Sequence, residues 1–354
     1  MSLHAEIHEQ PDVARRFLTE GRDAVDAVAA ALRAAPIDVV CIAARGSSDH
    51  AAIYAQYVLG ALQRLPVALA TPSLTSVYGV SPRFRRALVI GISQSGRSPD
   101  IVGVVAEARA QGAATVAITN AADSPLAAAA EHVIDVRAGA ERAVAATKSY
   151  SAQLLAVAAL AVAMGGAAAD AWGGDDAARR TALARLPDAM AAALAAEPDA
   201  ARIAADRAGI ARAVILARGF EYATAREWAL KLKELAYLSA DPYSAADFAH
   251  GPTALLEPGF PVLAIAPAGA ALTTLAPQLA TLRAERGIDL VTISDDPAVR
   301  VAASAAMATP AGVAEWLSPI VSILPAQLFA YHLTRARGLD TEQPRGLSKV
   351  TLTR

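Results

Sequence analysis

The sequence ALVIGISQSGRSPD, residues 87–100, changes from an apolar run to residues that carry hydroxyl groups. Its first half has the composition of a buried strand in a parallel sheet, and a helical pattern follows over 98–110. Where a strand turns into a helix, backbone N–H groups point outward and can bind an anion. We therefore expect an α/β fold with an anion-binding turn, and helix capping by the serines is the alternative interpretation. The candidate residues are Ser93, Gln94, Ser95 and Ser98.

The same alternation of strand and helix patterns runs through the whole chain. Short runs rich in Val and Ile are bounded by Gly or Asp, and longer helical patterns lie at 48–63, 220–238 and 273–286. This order predicts right-handed crossovers and doubly wound parallel sheets, which bind ligands beyond the carboxyl ends of the strands. RGSSDH follows another strand run, so its Ser47 and Ser48 join the candidate site.

A weak internal repeat divides the chain. VVCIAARG at 39–46 resembles AVILARG at 213–219, and ALVIGISQSG at 87–96 resembles PVLAIAPAG at 261–269. The final glycines are 173 residues apart in both pairs. A third pair, with nearly the same offset, is GAATVAITN at 112–120 and GIDLVTISD at 287–295. The repeat predicts two tandem units of one fold.

The boundaries of these units follow from composition. A segment rich in Ala, Gly and Asp, about 165–185, separates the two copies, and a helical stretch at 186–205 opens the second. We expect an N-terminal segment and the first unit in 1–185, the second unit in 186–340 and a tail in 341–354.

The two copies differ at the anion-binding turn. The second copy has Ala266, Pro267, Ala268 and Gly269 where the first has Ser93, Gln94, Ser95 and Gly96. If the serines only shaped a turn, this loss of hydroxyl groups would have no obvious reason. The difference favours a single phosphate site, in the first unit.

Composition and charge exclude several classes of protein. The 354 residues carry 32 Lys and Arg against 34 Asp and Glu, without a basic block that would suit nucleic acid or an anionic membrane. The single cysteine, Cys41, lies in an apolar run, which excludes a disulfide framework or a cysteine metal cluster and favours a core residue. The sequence contains neither a G-x-G-x-x-G fingerprint nor a phosphate-binding loop of the Gly-Lys-Ser/Thr type. We expect no metal, nucleotide or other cofactor.

Neither the N-terminal residues nor the long uncharged stretch of the sequence predicts a membrane protein. The first residues, MSLHAEIHEQPD, carry charges where a signal peptide needs an apolar core. The uncharged stretch Ser149–Ala169 is long enough to cross a bilayer, but its Ala, Ser and Gln content favours a helix buried against a sheet or a second subunit. We therefore expect a cytoplasmic protein.

A helix in the second unit carries a pattern of charges. Glu227, Lys231 and Glu234 are spaced i, i+4 and i+7, which puts them on one helix face. A solvent-exposed salt-bridge stripe is the ordinary interpretation of such spacing. This helix, however, begins directly after a predicted strand and so lies near the expected ligand crevice. His250 follows in a loop, and a histidine paired with a carboxylate can perform acid–base catalysis.

The tail sequence PRGLSKVT contains Lys349. A tail lysine is ordinarily solvent-exposed, but Pro344 and the apolar Leu347, Val350 and Leu352 predict a tail that packs against the protein. A lysine held beside a carbonyl group can form an imine if its pKa is lowered.

Taken together, these motifs resemble a known family. GSSDHA, SQSGRSPD, AVAATKSYSAQL, RGFEYATAREWALKLKELAY, HGP and PRGLSK occur in the order and spacing of the double SIS (sugar isomerase) domain family. The family includes the isomerase module of glucosamine-6-phosphate synthase and the stand-alone, second-type glucosamine-6-phosphate deaminases, which this chain resembles more. The resemblance implies two flavodoxin-like units over nearly the whole chain.

The resemblance also implies roles for individual residues. Glu234 would move the proton between C1 and C2, and His250, from the other subunit of a homodimer, would open the sugar ring. Lys349 would contact the open-chain keto sugar or form an imine with it, and Glu227 and Lys231 would set the charge around Glu234. The sugar-phosphate site would consist of Ser47, Ser48, Ser93, Gln94, Ser95, Ser98, Val144 and Thr147.

Departures from the synthase pattern bear on the substrate. Arg97 replaces a usually acidic residue, SAAD at 244–247 replaces a Pro-Ala-Gly-Glu-like stretch, and no cysteine lies near the start. We expect conversion of glucosamine 6-phosphate to fructose 6-phosphate and ammonia without a glutaminase domain. A deglycase or isomerase for another 6-phosphorylated amino sugar or fructosamine is one alternative, and a non-catalytic sugar-phosphate sensor is another. A sensor has no need for Glu234, His250 and Lys349 together.

Overall fold

The computed structural model describes residues 2–165 and 174–349, which form two compact units. The N-sheet unit comprises the described residues of 12–141, 148–184 and 348–349. The C-sheet unit comprises the described residues of 1–11, 142–147 and 185–347. Each unit contains one five-stranded sheet.

The elements within residues 2–165 follow the predicted alternation of strands and helices. In chain order they are α1 Leu3–His8, α2 Gln10–Glu20, α3 Arg22–Ala34, β1 Val39–Ala43, α4 Ser47–Gln63, β2 Val67–Leu69, α5 Pro72–Ser76, β3 Ala87–Ser93, α6 Pro99–Ala110, β4 Ala114–Thr119, α7 Pro125–Ala129, β5 His132–Asp135 and α8 Lys148–Ala163.

The second half of the chain repeats this order after three helices. Its elements are α9 Asp176–Ala184, α10 Leu186–Ala193, α11 Glu197–Asp206, β6 Arg212–Ala217, α12 Tyr222–Ala236, β7 Ser239–Ser244, α13 Ala245–Ala249, β8 Pro261–Ile265, α14 Leu272–Arg286, β9 Asp289–Ser294, α15 Pro297–Ala302, β10 Ala305–Ala308 and α16 Ser318–Ala336. Short 3₁₀ helices lie at Leu194–Ala196, Gly219–Glu221, Pro252–Leu255 and Glu315–Leu317.

The two sheets have the same topology, which confirms the predicted fold class and the internal repeat. The strand orders are β2-β1-β3-β4-β5 and β7-β6-β8-β9-β10, and every neighbouring pair is parallel. The chain order reverses between β1 and β3 in one sheet and between β6 and β8 in the other. A doubly wound sheet binds ligands at such a reversal, so the turns after these four strands are the expected ligand-binding positions.

Apolar strands covered by helices form the two cores. In the N-sheet unit, Val89, Ile101 and Leu126 belong to one buried cluster, with Cys41 packed at its edge. Burial raises the pKa of the Cys41 thiol, which agrees with the expected packing role. In the C-sheet unit, the corresponding cluster includes Leu216 from β6.

The alanine-rich helix α8 is buried along nearly its whole length. Small side chains let it pack closely against α3 and α4 in the same unit. This confirms the interpretation of Ser149–Ala169 as an interior helix over the part up to 163, whereas 166–169 lie outside the described residues. Within 2–165 and 174–349, no helix combines the length and the apolar character needed to cross a bilayer.

Helix boundaries differ from the predicted ones where local caps intervene. The pattern at 220–238 divides into a 3₁₀ turn and α12, which ends because Tyr237 adopts a left-handed conformation with φ 52°. The stretch at 186–205 consists of two helices joined by a 3₁₀ turn. His250 follows the short helix α13 directly.

Candidate functional site

The anion-binding turn predicted in the N-sheet unit follows β3. Gly96 has φ 61°, and a Cβ atom there would lie 2.0 Å from the Ser124 hydroxyl oxygen, so this position requires glycine. The Gly96 N–H donates to the Ser93 hydroxyl at 3.1 Å, and the Arg97 N–H donates to the Ser95 hydroxyl at 3.4 Å. The turn therefore holds two hydroxyl groups at the carboxyl end of a central strand.

Ser98 is the N-cap residue of α6, but its side chain makes no capping hydrogen bond. The capping interpretation therefore does not apply to Ser98. Ser98 is half-buried at the helix N-terminus, and Gln94 and Ser95, in the same turn of the chain, are half-buried too. A hydroxyl in this position can donate to an anion that the helix N-terminus attracts.

The turn after β1 lies beside this one, because β1 and β3 are neighbours in the sheet. Ser47 and Ser48 open α4 directly after Gly46. Arg45 in the same turn forms a salt bridge of 2.9 Å with the buried carboxylate of Asp100, in the first turn of α6. This ion pair links the two turns, so the six predicted phosphate-binding residues of this unit flank one switch point.

The corresponding turn of the C-sheet unit already holds a carboxylate. Glu315 accepts hydrogen bonds from the N–H groups of Ala270 at 2.7 Å and Ala271 at 2.9 Å. A Cβ atom on Gly269 would lie 2.3 Å from the Glu315 carboxyl carbon, so glycine makes room for this contact. The backbone donors that would bind a foreign anion are occupied by a side chain of the same unit. This supports the predicted restriction of phosphate binding to the N-sheet unit.

A second carboxylate lies at the same switch point. Glu221 occupies the repeat position of Ser48, 173 residues later, and it is buried. It accepts hydrogen bonds from Ser318 at 2.6 Å, Ser322 at 2.9 Å and Thr224 at 2.5 Å. Burial raises the pKa of Glu221 to about 7, although the three hydroxyl donors act in the opposite direction.

The charged residues of α12 do share one face. The Lys231 ammonium nitrogen lies 2.6 Å from a Glu234 carboxylate oxygen and 3.4 Å from a Glu227 carboxylate oxygen. The Lys231 side chain is 1% exposed and that of Glu227 0%, whereas Glu234 is 24% exposed. A solvent-exposed stripe is therefore the wrong interpretation, since two of the three groups are buried.

This buried charge cluster determines the protonation of Lys231. Burial alone would lower the pKa of the lysine, but the two carboxylates raise it well above its ordinary value. Lys231 is therefore a fixed cation that holds the Glu234 carboxylate by a short hydrogen bond. Glu234 is the member of the cluster that solvent or a small molecule can reach.

The remaining predicted residues of the C-sheet unit lie on loops. His250 is exposed, and its backbone N–H donates to the Asp247 carbonyl at 3.0 Å. Val144 is half-buried and Thr147 is buried in the segment 142–147.

Lys349 is held by a buried carboxylate in the N-sheet unit. Its ammonium nitrogen lies 2.7 Å from a Glu141 carboxylate oxygen. The same carboxylate accepts hydrogen bonds from the Ser149 N–H at 3.0 Å and the Ser149 hydroxyl at 2.7 Å. The expectation for the tail is only partly met, since Pro344 is buried but Leu347 is 45% exposed. Val350 and Leu352 lie outside the described residues.

Sequence reasoning missed two supporting carboxylates. One is Glu141, which binds Lys349, and the other is the buried Glu6 on α1. Glu6 accepts hydrogen bonds from the N–H groups of Arg142 at 2.5 Å and Ala143 at 3.3 Å, and so fixes the segment that carries Val144. No local pattern marks either residue, since Glu6 lies in the charged stretch MSLHAEIHEQPD and Glu141 directly precedes Arg142.

Comparison with known proteins places this architecture in a family. Residues 37–163 and 208–336 each match the SIS domain, and together they make up more than half of the chain. The chain belongs to the SIS domain family. Each matched SIS segment contains one central strand pair and its switch point.

Similar proteins support the assignment over nearly the full length. A glutamine–fructose-6-phosphate aminotransferase (isomerizing) from Methanothermobacter thermautotrophicus is 34% identical over 346 residues, or 97% of this SIS chain and 56% of the relative. This chain therefore spans little more than half the length of that relative.

Solved structures of similar proteins also match nearly the whole chain. A candidate phosphosugar isomerase from Silicibacter pomeroyi DSS-3 is 35% identical with a TM-score of 0.83, over 96% of this chain and 100% of that one. The C-terminal domain of a glucosamine-fructose-6-phosphate aminotransferase from Francisella tularensis is 25% identical with a TM-score of 0.83, over 97% and 98% of the two chains.

The raised pKa of Glu221 predicts how stability depends on pH. The folded SIS chain keeps this proton up to about pH 7, whereas the unfolded chain releases it near pH 4.5, so the stabilising contribution is complete below 4.5 and lost by about 7. Compared with Glu221→Gln, the wild type should lose roughly 3 kcal/mol of unfolding free energy across this window, since one pKa unit corresponds to about 1.4 kcal/mol.

Urea unfolding at several pH values measures this difference. The exposed Glu285 supplies a control variant, Glu285→Gln. Its free energy of unfolding should vary with pH in parallel with that of the wild type. Parallel profiles for wild type and Glu221→Gln would contradict the assigned protonation.

Proposed function

We propose that this SIS chain is an aldose–ketose isomerase for amino-sugar phosphates that converts glucosamine 6-phosphate to fructose 6-phosphate and ammonia. The observation that carries the proposal is the reachable Glu234 carboxylate, which the buried Lys231 holds on α12. Isomerisation requires a base beside two adjacent carbons. A sensor requires only binding, and a buried ion cluster with one reachable carboxylate has no use in it.

The phosphate is proposed to bind at the N-sheet switch point. Hydroxyl groups of Ser95 and Ser98 at the β3–α6 turn supply uncharged donors, and the Ser95 oxygen at the same time accepts from the Arg97 N–H. The matching C-sheet turn is occupied by Glu315, which leaves the N-sheet turn as the one suited to an external anion among the two repeats. Binding energy from the phosphate then positions the reacting carbons, which lie at the other end of the sugar.

The proposed reaction begins with the closed sugar ring. His250 protonates the ring oxygen as its bond to C1 breaks and takes up the proton that the C1 hydroxyl releases, which gives the open-chain aldehyde. Glu234 removes the proton from C2 and returns it to C1, while one proton passes from the C2 amine to the C1 oxygen, so that the aldose becomes a ketimine at C2. Water adds to C2, ammonia leaves, and the products are fructose 6-phosphate and ammonia. One glucosamine 6-phosphate and one water are consumed.

The other predicted residues have supporting roles in this scheme. Glu227 and Lys231 are positioning residues, because they act on the substrate only through Glu234. Lys349 contacts the C2 carbonyl or forms an imine with it, and Glu141 positions Lys349 through the 2.7 Å ion pair. Val144 and Thr147 line the sugar site, and Glu6 fixes the segment that carries them.

A second candidate activity keeps the proton transfer and omits the loss of ammonia. The similar protein from Silicibacter pomeroyi bears the name of a phosphosugar isomerase, which favours isomerisation of another phosphorylated sugar or a fructosamine phosphate. Glu234 would have the same role in both reactions. The two activities differ in their substrate and in whether ammonia is released.

Glu234→Gln tests the reaction class. The wild type should release ammonia from glucosamine 6-phosphate, and the variant should lose roughly 100-fold to 10,000-fold in kcat because the amide cannot accept a proton. Substrate affinity, measured by calorimetry, should change little. The surface variant Glu285→Gln is the matched control and should retain full activity.

The outcomes of this experiment separate the candidates. The proposed route releases one ammonia for each fructose 6-phosphate formed. If the wild type forms neither product, the proposed deaminase activity is overturned. Turnover of another phosphorylated sugar that depends on Glu234 would then support the second candidate. Equal turnover by Glu234→Gln would overturn both.

Ser95→Ala tests the phosphate site. Loss of one hydrogen bond to a charged group should raise KM for glucosamine 6-phosphate about tenfold to 100-fold. The kcat/KM for unphosphorylated glucosamine should be the same in both proteins, because that substrate offers no phosphate. An unchanged KM for the phosphorylated sugar would place the phosphate elsewhere.

Mixing two inactive variants tests the proposed homodimer with shared active sites. Glu234→Gln and His250→Gln should each be inactive alone, yet their mixed dimer contains one site with both natural side chains. Random exchange of subunits should restore roughly a quarter of wild-type activity, since half of the dimers are mixed and each has one intact site. Persistent inactivity, with exchange verified by mass spectrometry, would show that each chain uses its own His250.

A further inference from the structure

Three imidazole groups of the C-sheet unit converge on one carboxylate. Glu197 lies 2.6 Å from the His4 Nε2 atom, 2.9 Å from that of His8 and 2.9 Å from that of His332. These are three of the six histidines in the chain. The proposed catalytic scheme uses none of the four residues.

The fold brings these residues together from three helices. His4 and His8 are spaced i, i+4 on α1 and so share one face of it. Glu197 is the first residue of α11, and His332 lies in the last part of α16. Both α1 and α11 pack against α16, which sets the three groups side by side.

We propose that His4, His8, Glu197 and His332 form a binding site for a divalent transition metal ion of the zinc type. Three imidazoles and one carboxylate are a donor set that Zn²⁺ accepts in tetrahedral geometry. The ligand atoms of His4, His8 and Glu197 all lie within 4.8 Å of one another. Bonds of about 2.0–2.1 Å would place these three atoms roughly 3.3 Å apart, so small side-chain rotations suffice for them. His332 lies 2.9 Å from Glu197 but its ring centroid is 6.4 Å from that of His4, so it would join as the fourth ligand by a larger rotation.

The surroundings suit a structural metal. The side chains of His4 and His8 are each 37% exposed, which leaves an entry route, while Glu197 at 23% and His332 at 19% lie deeper. The His4 ring also packs against His8 and Tyr331, with ring centroids 4.5 Å and 5.0 Å apart. Four protein ligands would close the coordination sphere, which is typical of structural rather than catalytic zinc.

Such a metal would fasten the first helix to its own unit. α1 also carries Glu6, which binds the backbone of the segment 142–147. Metal binding would thus order the N-terminal helix and, through Glu6, that segment. The metal site itself is independent of the proposed function, because its binding and stability readouts require no substrate.

The competing interpretation is a hydrogen-bonded cluster without metal, in which the three imidazoles donate to Glu197. The two interpretations differ when the full-length protein, stripped with a chelator, is titrated with Zn²⁺. We expect one zinc ion per chain by calorimetry and elemental analysis, together with a rise in Tm. Cobalt(II) in the same site should give the visible absorption of a tetrahedral complex.

Two variants locate the site. His8→Gln and Glu197→Gln each remove or weaken one ligand and should lower zinc affinity by about 100-fold or more, since even changes outside the ligand shell cost about tenfold to 100-fold. His132→Gln, in β5 of the N-sheet unit, is the matched control and should bind zinc as the wild type does. Circular dichroism of the metal-free proteins verifies that each variant is folded.

The result is decisive in either direction. Failure of the folded wild type to bind zinc in stoichiometric amount would overturn the proposal, as would equal binding by His8→Gln and Glu197→Gln. Loss of catalytic activity in Glu234→Gln has no bearing on these readouts, so the metal site and the proposed function can fail separately.

Discussion

The ammonium group of Lys231 between two carboxylates is the interaction on which the proposed site depends. A lone buried charge costs several kcal/mol, and Lys231 and Glu227 each offset part of that cost for the other. Removal of Lys231 would take the cation away from both the buried Glu227 and the reachable Glu234. This mutual dependence keeps Glu234 in one place at the surface of the helix. Such a cluster fixes geometry more than it adds stability, because desolvation offsets most of the attraction.

Much of the fold follows from short-range patterns in the sequence, and the site follows from them only in part. Strand runs, their offsets and the turn at 93–98 sufficed to predict two doubly wound sheets with one switch point each. Helical spacing was enough to place Glu227, Lys231 and Glu234 on one face. The burial of this face, however, depends on what packs against α12, and spacing carries no information about that.

Contacts between distant residues escaped prediction for the same physical reason. Glu141 and Lys349 are 208 positions apart, and Glu6 and Arg142 are 136 apart. No periodicity of a strand or helix relates such pairs, since only the complete tertiary fold brings them together. For Leu347 the prediction failed in the other direction, since a predicted packing contact is missing and the side chain is exposed. Single apolar residues are common on protein surfaces, so an apolar residue in a tail does not by itself predict packing.

The Glu315 carboxylate on the turn at 269–271 has a consequence for the behaviour of the two repeats. A ligand that is part of the chain has a very high effective concentration, which dilution cannot reduce. The C-sheet repeat is thus saturated with its own anion under all conditions that leave Glu315 ionised. In the proposed scheme the N-sheet turn takes its anion from solution, so its occupancy would follow a mass-action curve. Of the two repeats, one therefore carries its own anion, and the other, under the proposed function, would fill only as the phosphate concentration rises.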